Sequence, residues 1–328
     1  MVRSPAGDTT SVPDRAEPAQ RGPAAADVEV VGHAGLAIDS DGGTPGWRHL
    51  DDALVLGVDR LEVDICSTAD GHIVLRHDVS LPDGQFIGDL DLAEVRAAEP
   101  AVLTIDEAVE RLGGRLPLLL DVKMASAAEL LGVWLRRRRD PDRFVLCTEH
   151  VPWLLHLRFA APRVERWPSF PDLGERRASH VQRVVAGLWR SHTSMAGLIR
   201  GVGDVQRAAS QLRHRPHESL ANLGGMPWRA HLPAEVARAR VDLSAGGICV
   251  HHWVVSERLV EEAHSVGLHV NTWTVNNPFA ARTVALAGVD SITTDRVTLL
   301  RVALDAGNPP TRLHSGRPLR ALTRTGRR

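Results

Sequence analysis

Short apolar runs alternate with amphipathic segments through most of this chain. Runs rich in Val, Leu and Ile, bounded by Gly, Pro or charged residues, are typical of strands buried in a parallel sheet. The predicted strands are Val28–His33, Arg60–Cys66, His72–His77, Arg115–Lys123, Phe144–Thr148, Arg163–Arg166, Gly247–His252, His269–Val275 and Ser291–Thr294. Apolar residues at helical spacing predict helices between them, at Trp47–Leu56, Ile105–Leu112, Ala127–Arg138, Trp153–Phe159, Glu257–Val266, Pro278–Ala287 and Val297–Leu304.

This alternation of strands and helices predicts a closed (β/α)8 TIM barrel, with an extra short hairpin inserted after the second strand. An open, doubly wound sheet is the alternative, although no glycine-rich phosphate loop opens a helix. We expect the barrel to occupy residues 28–304, preceded by a disordered head at 1–27 and followed by a basic, flexible tail at 305–328. Residues 172–245 are rich in arginine and interrupted by Pro and Gly, and we expect helices with an insertion there.

Composition and charge exclude several functional classes. The formal net charge of −1 gives no electrostatic footprint for nucleic acid. No apolar stretch is long enough to span a membrane, and the polar N-terminal segment lacks the apolar core of an export signal. Three widely spaced cysteines argue against a disulfide framework. We therefore expect a cytoplasmic protein without stable membrane insertion that acts on a small molecule, in an oligomeric state that the sequence leaves open.

Polar residues at the carboxyl ends of the predicted strands are candidates for chemistry, because barrel active sites form there. Glu62 and Asp64 lie two residues apart on one strand, so their side chains leave the same face of the sheet. Asp121 occupies a neighbouring predicted strand and can supply a third carboxylate. Carboxylates this close repel one another unless a cation lies between them, which predicts a Mg²⁺ or Ca²⁺ site.

Two histidines and a lysine accompany these acids. His33 and His77 each follow an apolar run, and imidazoles beside a metal site are suited to act as a general acid and a general base. Of the 39 Lys and Arg residues, all except Lys123 are arginine. Lys123 lies two residues after Asp121, and we expect its ammonium group to contact a phosphoryl oxygen. Together these groups favour displacement at phosphorus.

At this point the sequence resembles the glycerophosphodiester phosphodiesterase family, whose members are TIM barrels. The matching segments follow one another in the family's order and are His33–Gly35, Gly57–Asp64, Thr68–Gly71, His77–Asp78, Leu120–Lys123, Gly267–Asn276 and Gly288–Asp295. The resemblance implies roles for individual residues. It assigns acid–base catalysis to His33 and His77, metal binding to Glu62, Asp64 and Asp121, phosphate contact to Lys123, and a place in the pocket lining to Trp273.

Three departures from the family pattern affect these expectations. Ala34 stands where the family has an arginine, residues 43–46 lack an acid found in the family, and Asp121 replaces a longer glutamate. Arg48 and Arg76 are candidates for replacing the missing arginine.

We expect a metal-dependent phosphodiesterase that hydrolyses a glycerophosphodiester-type substrate to an alcohol and a phosphomonoester. One alternative is a lyase that releases a cyclic phosphate, as the related sphingomyelinase D and phospholipase D barrels do. The other is a binding barrel with weakened catalysis. The family implies a divalent metal ion as the cofactor in the first two cases.

Overall fold

Eight parallel strands close into a barrel in the computed structural model, which describes residues 28–35, 44–170, 232, 236 and 238–305. The strands are β1 (Glu29–Gly32), β2 (Arg60–Ser67), β3 (Ile73–Leu75), β4 (Leu118–Val122), β5 (Phe144–Thr148), β6 (Glu165–Phe170), β7 (Gly247–His251), β8 (His269–Trp273) and β9 (Ser291–Thr294). Strand β1 pairs with both β2 and β9, and these pairings close the barrel and rule out an open sheet. Strand β3 is antiparallel to β2 and forms the predicted extra hairpin.

Helices pack around the outside of the barrel. They are α1 (Trp47–Leu56), α2 (Leu92–Ala98), α3 (Ile105–Leu112), α4 (Ala125–Arg136), α5 (Val151–Ala160), α6 (Glu257–Ser265), α7 (Pro278–Leu286) and α8 (Val297–Asp305). Residues 238–243 are also helical. The starts of these helices carry recognisable caps: Asp91 and Glu94 form a capping box on α2, and Thr104 and Glu107 form one on α3.

The strand register decides which side chains enter the barrel. Asp64 on β2 lies beside Asp121 on β4, and Asp121 lies beside Cys147 on β5. The alternate residues of these strands face the helices and join the main apolar core. A smaller cluster, made of Leu119, Val145, Cys147, Trp167 and Cys249, fills the barrel interior below the acids. This packed interior leaves the carboxyl ends of the strands as the place for a cleft.

One close approach within the barrel requires glycine. A Cβ atom added to Gly247 on β7 would lie 2.7 Å from the indole nitrogen of Trp167 and 2.7 Å from the carbonyl oxygen of His269. The Trp167 ring stacks on the His269 ring at a centroid distance of 4.5 Å. The glycine therefore gives the large Trp167 side chain room inside the barrel.

Most of the predicted elements are confirmed, with differences in their bounds. Helix α2 was not predicted, although its capping box is visible in the sequence. The strand predicted at Arg163–Arg166 is instead Glu165–Phe170, and it continues through Pro168 because proline can occupy a strand position that does not donate. The predicted head at 1–27, the tail from 306 onward and most of the 172–245 segment lie outside the described residues. Within the described ranges, no helix is both long and apolar enough to cross a bilayer.

Candidate active site

Three carboxylates converge at the carboxyl end of the barrel. Glu62 and Asp64 extend from the same face of β2, and Asp121 extends from the adjacent position on β4. One oxygen from each carboxylate can be chosen so that all three lie within 4.8 Å of one another. Glu62 and Asp64 are buried, and Asp121 is half-buried. Among the described residues, this is the one group of three or more potential ligands that could hold a metal ion.

The pKa values of these acids indicate that too little positive charge lies near them to favour the ionised form of all three. Burial and repulsion from Asp64 raise the pKa of Glu62 to about 8, and burial raises the pKa of Asp121. Burial acts in the same direction on Asp64, but the charges of Lys123, His77 and His33 together outweigh it and lower the pKa of that carboxyl group. A dication placed among these oxygens would favour the charged form of all three acids. The donor set, three carboxylates and no soft ligand, suits a hard ion such as Mg²⁺ or Ca²⁺.

Lys123 is held by two of the acids. Its Nζ atom lies 2.6 Å from Asp121 Oδ2 and 2.9 Å from Asp64 Oδ1. Burial disfavours the ammonium ion, but the charges of Asp121, Asp64 and Glu62 outweigh this effect and raise the lysine pKa well above its ordinary value. Lys123 therefore remains charged at the cleft wall.

His33 follows β1 on the opposite side of the acids. Its Nδ1 lies 2.7 Å from Asp295 Oδ1, and its Nε2 lies 3.3 Å from the hydroxyl of Thr274. Burial lowers the imidazole pKa, but the hydrogen bond to Asp295 and the charges of Glu62, Asp295 and Asp64 raise it further, to about 9. The carboxylate accepts from Nδ1–H, so Nε2 is the nitrogen left to exchange a proton at the cleft.

Asp295 is itself held by a second residue, Asn276. The side-chain nitrogen of Asn276 donates to Asp295 Oδ2 at 2.5 Å, while its oxygen accepts from the Asp295 backbone N–H at 2.9 Å. Neither Asp295 nor Asn276 was predicted as a site residue from the sequence. The signal was present, because both lie in the closing segments that carry the family resemblance.

His77 approaches the same cleft from outside the barrel wall. It lies on the turn that follows β3, its side chain is 59% exposed, and its Nδ1 lies 2.9 Å from Asp78 Oδ1. Each of the two histidines thus has a carboxylate beside Nδ1, which leaves Nε2 for proton exchange. His33 and His77 both line the cleft, together with the three acids and Lys123.

The turn after β1 binds one of the acids through its backbone. Ala34 has a φ of 50°, in the left-handed region that non-glycine residues rarely adopt. In this conformation its N–H donates to Glu62 Oε2 at 2.6 Å, and the N–H of Gly35 donates to the backbone oxygen of Glu62 at 2.7 Å. The strained turn therefore orients Glu62, with a strain cost of about 1 kcal/mol.

The missing family arginine is not replaced by either candidate. Arg48 is 89% exposed on α1, beside Asp52. Arg76 is buried against Glu99, and neither arginine lines the cleft. Among the described residues that do line it, Lys123 is the one Lys or Arg side chain.

The cleft has a volume of about 360 Å³ and an aromatic wall. Trp273, at the end of β8, is half-buried and packs against the interior cluster below the acids. Its indole N–H is buried and has no hydrogen-bond partner within the described part of the chain. The sequence analysis did not identify Cys147, Glu149, His150 and Cys249, which also line the cleft. Nothing in their local sequence distinguishes them from structural residues.

The mouth of the barrel thus holds clustered acids, a lysine and two histidines that each contact a carboxylate. This combination is typical of hydrolases that act on phosphate esters. The sequence model of the glycerophosphoryl diester phosphodiesterase family matches residues 48–299. The chain belongs to that family and is a phosphoric diester hydrolase.

A curated relative and solved structures agree with this assignment. The chain is 25% identical over 262 residues to "Probable glycerophosphodiester phosphodiesterase 2" of Mycobacterium tuberculosis, covering 78% of this chain and 83% of that protein. A phosphodiesterase of Oleispira antarctica, solved with the product sn-glycerol-3-phosphate, has a TM-score of 0.56 and 15% identity over 84% of this chain and 96% of its own. A glycerophosphodiester phosphodiesterase of Parabacteroides distasonis has a TM-score of 0.59 and 18% identity, covering 86% and 98%. At these identities the two structures support the fold.

Proposed function

We propose that this protein is a divalent-metal-dependent hydrolase of glycerophosphodiesters that uses His33 and His77 for proton transfer. The observation that carries the proposal is the convergence of three carboxylates, one lysine and two histidines on one cleft. Each of these groups has a distinct task in phosphodiester hydrolysis. A structural role alone does not require six ionisable side chains at one barrel mouth.

Glu62, Asp64 and Asp121 would hold the metal ion. Burial of the acids supports this assignment, because three carboxylates with one lysine between them lack the positive charge that would stabilise their ionised forms. When bound, a divalent ion supplies Lewis-acid stabilisation of charge on the phosphoryl oxygens. The backbone N–H of Ala34 keeps Glu62 oriented towards the other two acids.

Lys123 would bind a non-bridging phosphoryl oxygen. Its ammonium group is fixed by Asp64 and Asp121 on one side and reaches the cleft on the other. A lysine has three donors around a compact charge, so it can keep both carboxylates and still direct one N–H at the substrate. This contact strengthens as negative charge develops on the phosphoryl group.

The two imidazoles would move the protons. One takes a proton through Nε2 from the water molecule that attacks phosphorus, and the other gives a proton to the leaving alkoxide oxygen. Asp295 and Asp78 hold the Nδ1–H tautomers that this exchange requires. The Oleispira antarctica protein was solved with the product sn-glycerol-3-phosphate, and this supports a glycerol-containing substrate for this chain. Trp273 would then lie against the carbon skeleton of the substrate.

The test is a panel of glycerophosphodiesters assayed with Mg²⁺, with Ca²⁺ and with excess chelator, and followed by phosphorus NMR. We expect phosphomonoester formation that stops in chelator and is restored by added metal. Glu62→Gln should abolish turnover and metal binding in calorimetry, whereas the matched surface variant Asp51→Asn should retain both. Full activity in chelator would contradict the metal requirement, and a cyclic phosphate as the first product would identify the lyase alternative.

A further inference from the structure

Arg76 is a buried arginine, and each of its three guanidinium nitrogens donates to an internal partner. It follows β3 directly, and its side chain is 6% exposed. Its Nε donates to Glu99 Oε2 at 3.0 Å, and its Nη2 donates to Glu99 Oε1 at 2.7 Å. This bidentate pair leaves Nη1 directed at the backbone of the next turn.

The turn that Arg76 binds is the one that carries His77. Nη1 of Arg76 donates to the backbone carbonyl of Asp78 and, at 2.8 Å, to that of Ser80. The two carbonyls lie one and three residues beyond His77, and the side chain of Asp78 contacts the imidazole. The His77 side chain is more than half exposed, so packing around the ring does little to fix its position. Together with the hydrogen bond from the Ile87 N–H to the Val79 carbonyl, the arginine therefore fixes the backbone from which the imidazole projects.

Glu99 connects this arrangement to two further parts of the fold. It follows α2, and its carboxylate also accepts from the hydroxyl of Thr44 at 2.6 Å. Thr44 precedes α1. The Arg76 hydrogen bond lowers the pKa of Glu99, which keeps the carboxylate charged at neutral pH. A charged pair thus joins the His77 turn to the bodies of two helices.

We propose that Arg76 and Glu99 are positioning residues for His77, and this proposal rests on the catalytic role proposed for that histidine. They do not touch the cleft themselves. They act by fixing the 78–80 turn, so that the exposed imidazole keeps one approach to the phosphodiester. A displacement of about 1 Å in a catalytic group can cost on the order of 100-fold in rate.

Arginine is required for this task because of its geometry. Its planar guanidinium group satisfies a carboxylate with two parallel N–H donors while a third nitrogen reaches two carbonyls. Lysine keeps the charge but concentrates its donors at one atom, so it can hold the carboxylate or the turn and not both in the same geometry. Arg76→Lys therefore separates positioning from charge.

The experiment is a double-mutant cycle between Arg76→Lys and His77→Ala, with the full chain and a glycerophosphodiester as substrate. Arg96→Lys is the matched control, because Arg96 pairs with Glu107 at 2.5 Å on the neighbouring helices and lies away from the cleft. We expect Arg76→Lys to lower kcat about tenfold or more with KM within twofold, and to leave Mg²⁺ binding in calorimetry unchanged. The NMR signal of the His77 imidazole should shift in Arg76→Lys and should stay in place in Arg96→Lys.

The cycle distinguishes positioning from a general structural effect. If Arg76 acts through His77, Arg76→Lys has no further effect on kcat in the His77→Ala background. An equal loss in both backgrounds, or no loss in either, overturns the proposal. If His77→Ala alone leaves turnover unchanged, the proposed role of His77 fails, and the positioning role fails with it. Thermal unfolding identifies a variant that does not fold, and Glu99→Gln, which preserves the shape of the pair, then takes its place with the same expected pattern.

Discussion

Replacing Asp295 with asparagine should reverse the tautomer of His33. The reason lies in Asn276, whose orientation is fixed because its oxygen accepts from the backbone N–H of residue 295 and from the Thr294 hydroxyl. Its nitrogen must therefore donate to the residue at 295. An asparagine there would turn its oxygen towards Asn276 and its NH2 group towards His33 Nδ1. The imidazole would then carry its proton on Nε2 and lose the ability to accept one there.

The expected cost follows from the loss of a correctly oriented proton carrier. We expect Asp295→Asn to lower kcat about 10³-fold, within the range of roughly 10²–10⁴ for removing or misorienting a general acid or base. KM should change little, because Asp295 does not line the cleft. Steady-state kinetics at saturating metal measure this directly.

The same variant should change how stability depends on pH in the metal-free protein. The folded-state pKa of His33, about 9, lies above its ordinary value of 6.5, so protonation favours the folded state. That stabilisation, about 3 kcal/mol at most, is complete below pH 6.5 and is lost as the pH rises towards 9. Denaturant unfolding in chelator should show this loss in the native protein and a smaller one in Asp295→Asn.

A second substitution tests the reasoning about orientation. Asn276→Ala removes the donor that forces the amide of Asn at 295 into the wrong orientation, so the double variant should recover part of the lost turnover. Near-native kcat in Asp295→Asn would contradict the predicted change of tautomer. A double variant no more active than Asp295→Asn would also contradict it, provided that Asn276→Ala alone is active.

Three further predictions concern the other groups in the cleft. Lys123→Arg should lower kcat/KM at least tenfold, about 1.4 kcal/mol, because the planar guanidinium group of arginine does not fit between Asp64 and Asp121. Full activity of this variant would contradict the proposed contact between Lys123 and the phosphate. His33→Ala and His77→Ala should each lower kcat by roughly 10²–10⁴, and their combined loss should be smaller than the product. Calorimetry should show that Lys123→Met, which removes the ammonium charge, still binds Mg²⁺, and absence of binding would place the lysine in the metal site.

The barrel and the acid cluster were predictable because each depends on a local pattern. The spacing of Glu62 and Asp64 fixes a common face on any strand, and Asp121 directly follows a run of leucines. Their meeting then requires only that the two strands be neighbours, which β2 and β4 are. The parallel barrel follows from the alternation of strands and helices in the same way.

The partners of the histidines were not predictable from pattern. Asp295 is 262 residues from His33, and Glu99, the partner of the arginine beside His77, is 23 residues from Arg76 and follows a helix that was not predicted. These contacts depend on how loops fold back over the barrel, and periodicity carries no information about that. The conformation of Ala34 was also hidden, because a positive φ is anticipated at glycine and not at alanine.

The segment between β2 and β4, which contains β3, α2 and α3, bears on how the active site of this enzyme could change. Glu62, Asp64 and Asp121 belong to two strands that share a continuous ladder, and Lys123 directly follows one of them, so any shift in either strand would disrupt barrel closure. His77 is instead supported by the β2–β3 hairpin and two helices outside that ladder, and the Arg76–Glu99 ion pair joins these parts. Insertions or exchanges in this segment can remodel the approach to the phosphorus atom without repacking the barrel. The acid cluster is thus tied to the barrel, whereas the placement of His77 depends on a segment outside the ladder and can change with it.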